Sequence, residues 1–180
     1  MTVRLVLVGL PASGKSTVGA AVATRLEIPF VDSDDLVIAA DGRQISEIFL
    51  DDGERMFRER EATAIAQALA QFEGVLALGG GAVTTAAVRA ALSSAGAPVV
   101  LLTAGTDELL ARVGDTGHRP LLSGDPRARL AELAAAREPL YREVATGTVD
   151  TAGRPVDQVA DEIVVLLSGH VARDQPTAHQ

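Results

Sequence analysis

The stretch Gly9-Leu10-Pro11-Ala12-Ser13-Gly14-Lys15-Ser16-Thr17 constrains the chain more than any other. It follows the apolar run Val3 to Val8 and leads into helix-forming sequence, which is the setting a phosphate-binding P-loop requires. In the pattern G-x-x-x-x-G-K-[ST], backbone N–H groups of the loop and of the helix N-terminus point at phosphates. Lys15 then reaches the β and γ oxygens, and Ser16 can ligate magnesium. An ordinary glycine-rich turn between strand and helix has no need of the lysine and hydroxyl in that order. The chain therefore handles a nucleoside triphosphate, and the rest of the sequence must say what receives the phosphate.

At 180 residues with 47% hydrophobic content, the chain fits one compact domain with a real core. It holds no cysteine, which removes disulfides, thiolate metal sites and thiol nucleophiles and is compatible with the cytoplasm. A net charge of −8 argues against a broad grip on nucleic acid, so a bound anion needs a local cluster of donors. Aromatic residues make up only 3%, too few for base-stacking platforms. No apolar run approaches the ~20 residues that span a bilayer. These readings give a cytoplasmic protein acting as a monomer, with no nucleic-acid or membrane partner.

Near-continuous apolar runs predict buried parallel strands at Val3 to Val8, Ile28 to Val31, Val75 to Leu78 and Val99 to Leu102, with a last strand at Thr148 to Asp150. Helical spacing predicts helices over Lys15 to Leu26, Glu54 to Phe72, Thr85 to Ser94, Thr106 to Val113, Arg127 to Glu143 and Pro155 to Leu167, with shorter ones after Asp35 and around Ile45 to Phe49. The alternation describes an α/β domain over residues 1–168 with a central, mostly parallel five-stranded sheet. Residues 114–125, rich in Gly and Pro, form a lid candidate, and 169–180 a disordered polar tail.

In an open parallel sheet ligands collect at the carboxyl ends of strands, so the residues just after strands are the candidates. Asp32 and Asp34, two apart, point to one side if the chain stays extended, where one can support magnesium and the other orient an acceptor hydroxyl. An acidic cap on the following helix accounts for them equally well. Gly79-Gly80-Gly81 lets a ligand approach the backbone, or supplies a permissive loop. Arg58 has Glu61 three residues on, a spacing that permits an ion pair, and Arg137 precedes Glu138. Arg119, in the lid, can neutralise transition-state charge. Met56 and Tyr141 read as packing residues, and no histidine is spaced for zinc.

Together these segments resemble the shikimate kinase family from about Val3 to Leu167. The motifs are Gly9 to Thr17, Asp32-Ser33-Asp34, Phe57-Arg58-Glu59-Arg60-Glu61, Leu78-Gly79-Gly80-Gly81, Arg119-Pro120-Leu121-Leu122 and Arg137-Glu138-Pro139-Leu140-Tyr141. Many members read Asp-Thr-Asp where this chain has Ser33, a change that keeps the hydroxyl. The resemblance implies a three-layer P-loop kinase fold like that of nucleoside monophosphate kinases. It also implies ATP-dependent phosphorylation of the 3-hydroxyl of shikimate, on the route to chorismate and the aromatic amino acids.

Carried over by position, Asp34, Arg58, Gly80 and Arg137 bind shikimate, with the arginines on its carboxylate. Ala12, Ser13, Gly14, Lys15, Ser16 and Thr17 hold ATP phosphates with Arg119, and Ser16 and Asp32 hold Mg2+. Arg112 and Arg154 lie near adenine, and Lys15, Asp34 and Arg119 are the catalytic set. The nearest enzymatic rival, gluconate kinase, usually carries a histidine shortly after the second-strand aspartates, where Asp34 is followed here by Asp35-Leu36-Val37. A GTPase reading of Asp150-Thr151-Ala152-Gly153 lacks any guanine motif, and a nucleotide-binding module without catalysis has no need of the full residue set.

Overall fold

The computed structural model describes residues 3–114 and 125–171. Strands β1 (Leu5–Val8), β2 (Phe30–Asp32), β3 (Val75–Ala77), β4 (Val99–Thr103) and β5 (Gly147–Asp150) form one sheet in the order β2-β3-β1-β4-β5. Every pairing is parallel: β1 lies between β3 and β4, and β2 and β5 are the edges.

Helices cover both faces, which explains the continuous apolar strand sequences. Leu5, Leu7, Val75, Ala77, Val100 and Leu102 turn toward α1 (Lys15–Leu26) and α8 (Val156–Val171). The alternate residues Val6, Val8, Leu76, Leu78, Val99 and Leu101 turn toward α4 (Gly53–Gln71), α5 (Ala86–Ala95) and α7 (Pro126–Val144). The two-residue strand period thus splits one apolar set into two cores. A third cluster, Val37, Ile48, Phe57 and Ala64, ties α2 (Ser33–Asp41) and α3 (Ile45–Asp51) to α4. Arg43 and Arg60 pin the same three helices by pairing with Asp41 and Asp52.

The predicted bounds of α1 are met. The second strand begins at Phe30 rather than Ile28, because Ile28 N–H is occupied in closing the end of α1 on the Ala23 carbonyl. Pro139 is accommodated inside α7. Helix α8 runs on to Val171, so residues 169–171 are helical rather than tail, the helix continuing through Gly169. The lid candidate is bounded by α6 (Thr106–Gly114) and by Asp125, which caps α7 by accepting from the Arg127 and Ala128 N–H groups. Its interior, with Arg119, lies outside the described residues.

Candidate active site

The donor loop leaves β1 at Gly9, whose φ of 149° and the Leu102 carbonyl 2.5 Å from where a side chain would start leave room only for glycine. Ala12 and Gly14 also hold left-handed dihedrals, φ 64° and 91°, which turn the chain into α1. No side chain caps α1, so the N–H groups of its first turn are the natural partners of an anion. Lys15 is buried, and its Nζ donates to the Gly9 and Leu10 carbonyls at 3.0 and 2.9 Å, drawn back across its own loop. Ser13 contributes backbone alone, because its hydroxyl is buried beneath the loop.

Asp32 caps the following helix and also reaches the donor loop. Its Oδ1 accepts from Asp34 N–H at 3.0 Å, capping α2, and its Oδ2 accepts from the Ser16 hydroxyl at 2.7 Å. A hydroxyl and a carboxylate so placed are the hard oxygen donors magnesium takes when phosphate and water supply the rest of its shell.

The acceptor side is built on Gly79-Gly80-Gly81, which follows β3. Ser33, wholly buried at the start of α2, accepts from Gly79 N–H at 2.8 Å and so ties the ends of β2 and β3 together. A side chain on Gly79 would collide with Glu61 Oε1 and Asp34 Oδ1, and one on Gly80 with the Pro11 ring of the donor loop. The two halves therefore touch at Gly80 and Pro11. A side chain on Gly81 would fall on the Arg58 guanidinium, which lies 5.2 Å from the Phe57 ring centre and donates to Glu61 Oε2 at 2.6 Å. Arg137 Nη1 and the Tyr141 hydroxyl both donate to the Gly80 carbonyl, at 3.0 and 2.5 Å.

Glu61 is 1% exposed. Burial raises its pKa, the Arg58 guanidinium offsets part of the rise, and Asp34 adds to it. Among the described residues, three side-chain polar atoms are buried without a hydrogen-bond partner: Glu61 Oε1, Arg58 Nε and, in the donor loop, Ser13 Oγ.

On the far side of the donor loop, Arg112 on α6 reaches Thr151 O at 2.9 Å, Thr151 Oγ1 at 3.1 Å and Ala12 O at 3.4 Å. Glu108 accepts from both Arg112 and Gly153 N–H, clamping the turn after β5 to α6. Arg154 leans onto α8, donating to Asp150 O at 2.9 Å and pairing with Glu162 at 2.7 Å. The two arginines thus flank one turn and meet at the Thr151 carbonyl, which accepts from the Arg112 side chain and from the Arg154 N–H at 3.3 Å.

The fold brings together Asp34, Arg58, Gly80 and Arg137 on one side of the donor loop, and joins Asp32, at the end of β2, to Ser16, the neighbour of Lys15 in that loop. Sequence reasoning missed the Ser33 tie, the depth of Glu61, the Glu108 clamp and the bonded hydroxyl of Tyr141. Only the last two had a local signal: Glu108 stands four residues from Arg112, and Tyr141 four from Arg137. A groove of about 790 Å3 between α2 and α4, lined by Leu36, Val37, Met56 and Phe72, holds none of these residues.

Residues 11–168 match the family model described as shikimate kinase. The chain belongs to the shikimate kinase family. A shikimate kinase of Frankia casuarinae is 50% identical over 163 residues, 91% of this chain and 72% of that protein. One of Streptomyces avermitilis is 49% identical over 168 residues, 93% of this chain and 97% of the other. The solved shikimate kinase of Acinetobacter baumannii, in complex with shikimate, superposes with a TM-score of 0.88 at 35% identity, covering 94% of both chains. A gluconokinase of Sinorhizobium meliloti shares the fold alone, at a TM-score of 0.64 and 24% identity. The parallel five-stranded sheet and P-loop are thus those of a family of kinases that use ATP.

Proposed function

We propose that the chain transfers the terminal phosphoryl group of ATP to the 3-hydroxyl of shikimate, giving 3-phosphoshikimate on the route to chorismate and the aromatic amino acids. The observation that carries this reading is the convergence of Asp34, Arg58 and Arg137 on Gly79-Gly80-Gly81, in contact with the donor loop through Pro11. Two guanidinium groups and a carboxylate suit a small hydroxylated acid, since arginine forks match a carboxylate and an aspartate accepts from hydroxyls.

Lys15 leaves its loop carbonyls for phosphate oxygens, and the N–H groups of the loop and of the first turn of α1, from Ala12 to Thr17, hold the phosphate chain. Asp34 orients the acceptor hydroxyl and takes its proton as the bond to phosphorus forms. Ser16, and Asp32 through water, would hold Mg2+, which when bound would supply charge neutralisation for the phosphate chain. Arg112 and the turn carrying Arg154 receive adenine, and Arg119, which lies outside the described residues, is assigned to the transferring phosphate by the family resemblance alone.

One chain supplies both halves, so a monomer suffices. Among the described residues no helix is long and apolar enough to cross a membrane. A charge of −8 suits a cytoplasmic enzyme of small anions held by local arginines rather than a nucleic-acid binder.

The test is ADP release with Mg2+, ATP and an acceptor panel. Shikimate supports turnover and gluconate does not; the reverse overturns the reading. Arg58→Ala and Arg137→Ala should each lower kcat/KM for shikimate by about tenfold to a hundredfold, the effect of one charge-assisted contact.

A further inference from the structure

Tyr141 is 2% exposed and is the one tyrosine of a chain that has no tryptophan. A phenylalanine would fill the same space, so packing explains the ring and leaves the hydroxyl unexplained. Four residues apart on α7, Tyr141 and Arg137 share a helix face and address a single atom, the Gly80 carbonyl oxygen, at 2.5 and 3.0 Å. A carbonyl oxygen has two lone pairs and accepts both donors at once.

The two donors differ in freedom. Arg137 is half-buried on a long flexible stem, and a carboxylate is a stronger partner for its guanidinium than a neutral carbonyl. Tyr141 is held in the core with Leu78, Val83 and Val144 and cannot follow. When Arg137 turns away, the phenol is the donor that remains on Gly80. Without it the peptide between Gly80 and Gly81 has no side chain on either flank to resist rotation. Gly81 lies directly under the Arg58 guanidinium, so that rotation would disturb the second arginine as well.

We propose that Tyr141 is a positioning residue of the acceptor site, whose phenolic O–H holds the Gly80 carbonyl while Arg137 moves from that carbonyl to the carboxylate of the acceptor. The proposal rests on the reading of Arg137 as a carboxylate ligand. Burial pushes the phenol up to about 12, against the opposing pull of the Arg137 guanidinium, so the proton to be donated is present at any working pH.

Tyr141→Phe should raise KM for shikimate about three- to tenfold, the effect of one neutral hydrogen bond, with kcat and KM for ATP unchanged. The penalty should persist in an Arg137→Ala background, where the phenol is left to hold the Gly80 carbonyl, and should vanish with the methyl ester of shikimate, which offers the arginine no anion and leaves it on that carbonyl. Because the tyrosine is single, uniform 3-fluorotyrosine labelling reports on this hydroxyl in the unsubstituted chain, which decides the matter if the Phe variant folds poorly. Shikimate should shift its 19F resonance, and Arg137→Ala should abolish the shift.

An unmoved resonance, an unchanged shikimate KM in Tyr141→Phe, or an equal rise in KM for ATP overturns the positioning role. If Arg137→Ala itself leaves shikimate KM unchanged, the carboxylate reading fails and takes the proposal with it. If Arg137→Ala raises KM and Tyr141→Phe does not, only the role of Tyr141 fails.

Discussion

The proposed donor and acceptor halves of this site are built in opposite ways. The donor half is nine consecutive residues whose binding groups are mostly backbone, set by left-handed dihedrals at Ala12 and Gly14 and by the uncapped start of α1. The acceptor half is assembled from side chains on α2, α4 and α7 around three glycines whose task is to leave space. Its charges are held on protein partners, Arg58 on Glu61 and Arg137 on the Gly80 carbonyl. A phosphate chain can be recognised by a local motif because every nucleotide offers the same oxygens. A particular acid needs groups aimed from several directions, which only the tertiary fold supplies.

The largest expected effect separates the halves cleanly. Lys15→Ala should lower kcat by about two to three orders of magnitude, as loss of a charge-stabilising donor does, while calorimetry finds shikimate binding unchanged. Loss of both together would mean that the halves are not separate devices.

Gly81→Ala is the mirror experiment. The backbone there, φ −101°, suits any residue, so the objection to a side chain is the Arg58 guanidinium. Displacing that group should raise KM for shikimate roughly tenfold or more and leave KM for ATP in place.

Ser33→Ala acts at the joint between the halves and should be milder. Gly79 N–H loses its acceptor, costing about 1 kcal/mol of stability and a few-fold in kcat/KM, and Ser33→Thr should restore both. Thermal melts beside steady-state kinetics decide it.

The smallest effect is electrostatic. Burial raises the pKa of Glu61 above its ordinary value of 4.5, so the folded protein holds that proton more tightly than the unfolded chain. Stability from this group therefore falls as pH rises from 4.5 through the raised value. In Glu61→Gln that slope is absent, so its Tm relative to the parent should climb across the same window. A flat difference would show that Arg58 compensates the burial in full.

Much of this organisation was legible in the sequence, for identifiable reasons. The α1 bounds and the donor loop follow from glycine placement and apolar runs, which are local signals. Arg58 with Glu61, and Asp32 as a helix cap, were equally readable as plain structural features, and those structural descriptions hold: the ion pair exists and the cap exists, within the candidate site. What stayed hidden depends on distance along the chain. Ser33 meets Gly79 and Tyr141 meets Gly80 across 46 and 61 residues, and no periodicity encodes either meeting. The depth of Glu61 was hidden likewise, since a charged residue on an amphipathic helix reads as surface until a glycine loop is laid over it.

Parallel pairing has a consequence for how the chain reaches its native state. Residue 5 must find residue 75, and residue 6 must find residue 99, before β1 has a neighbour on either side. Helices such as α1 and α4 can form from nearby contacts alone, whereas these pairings require large loops to close first. The donor loop hangs from β1, the acceptor glycines from β3, and Arg137 arrives only with α7. Competence to transfer phosphate is therefore among the last properties the folding chain acquires.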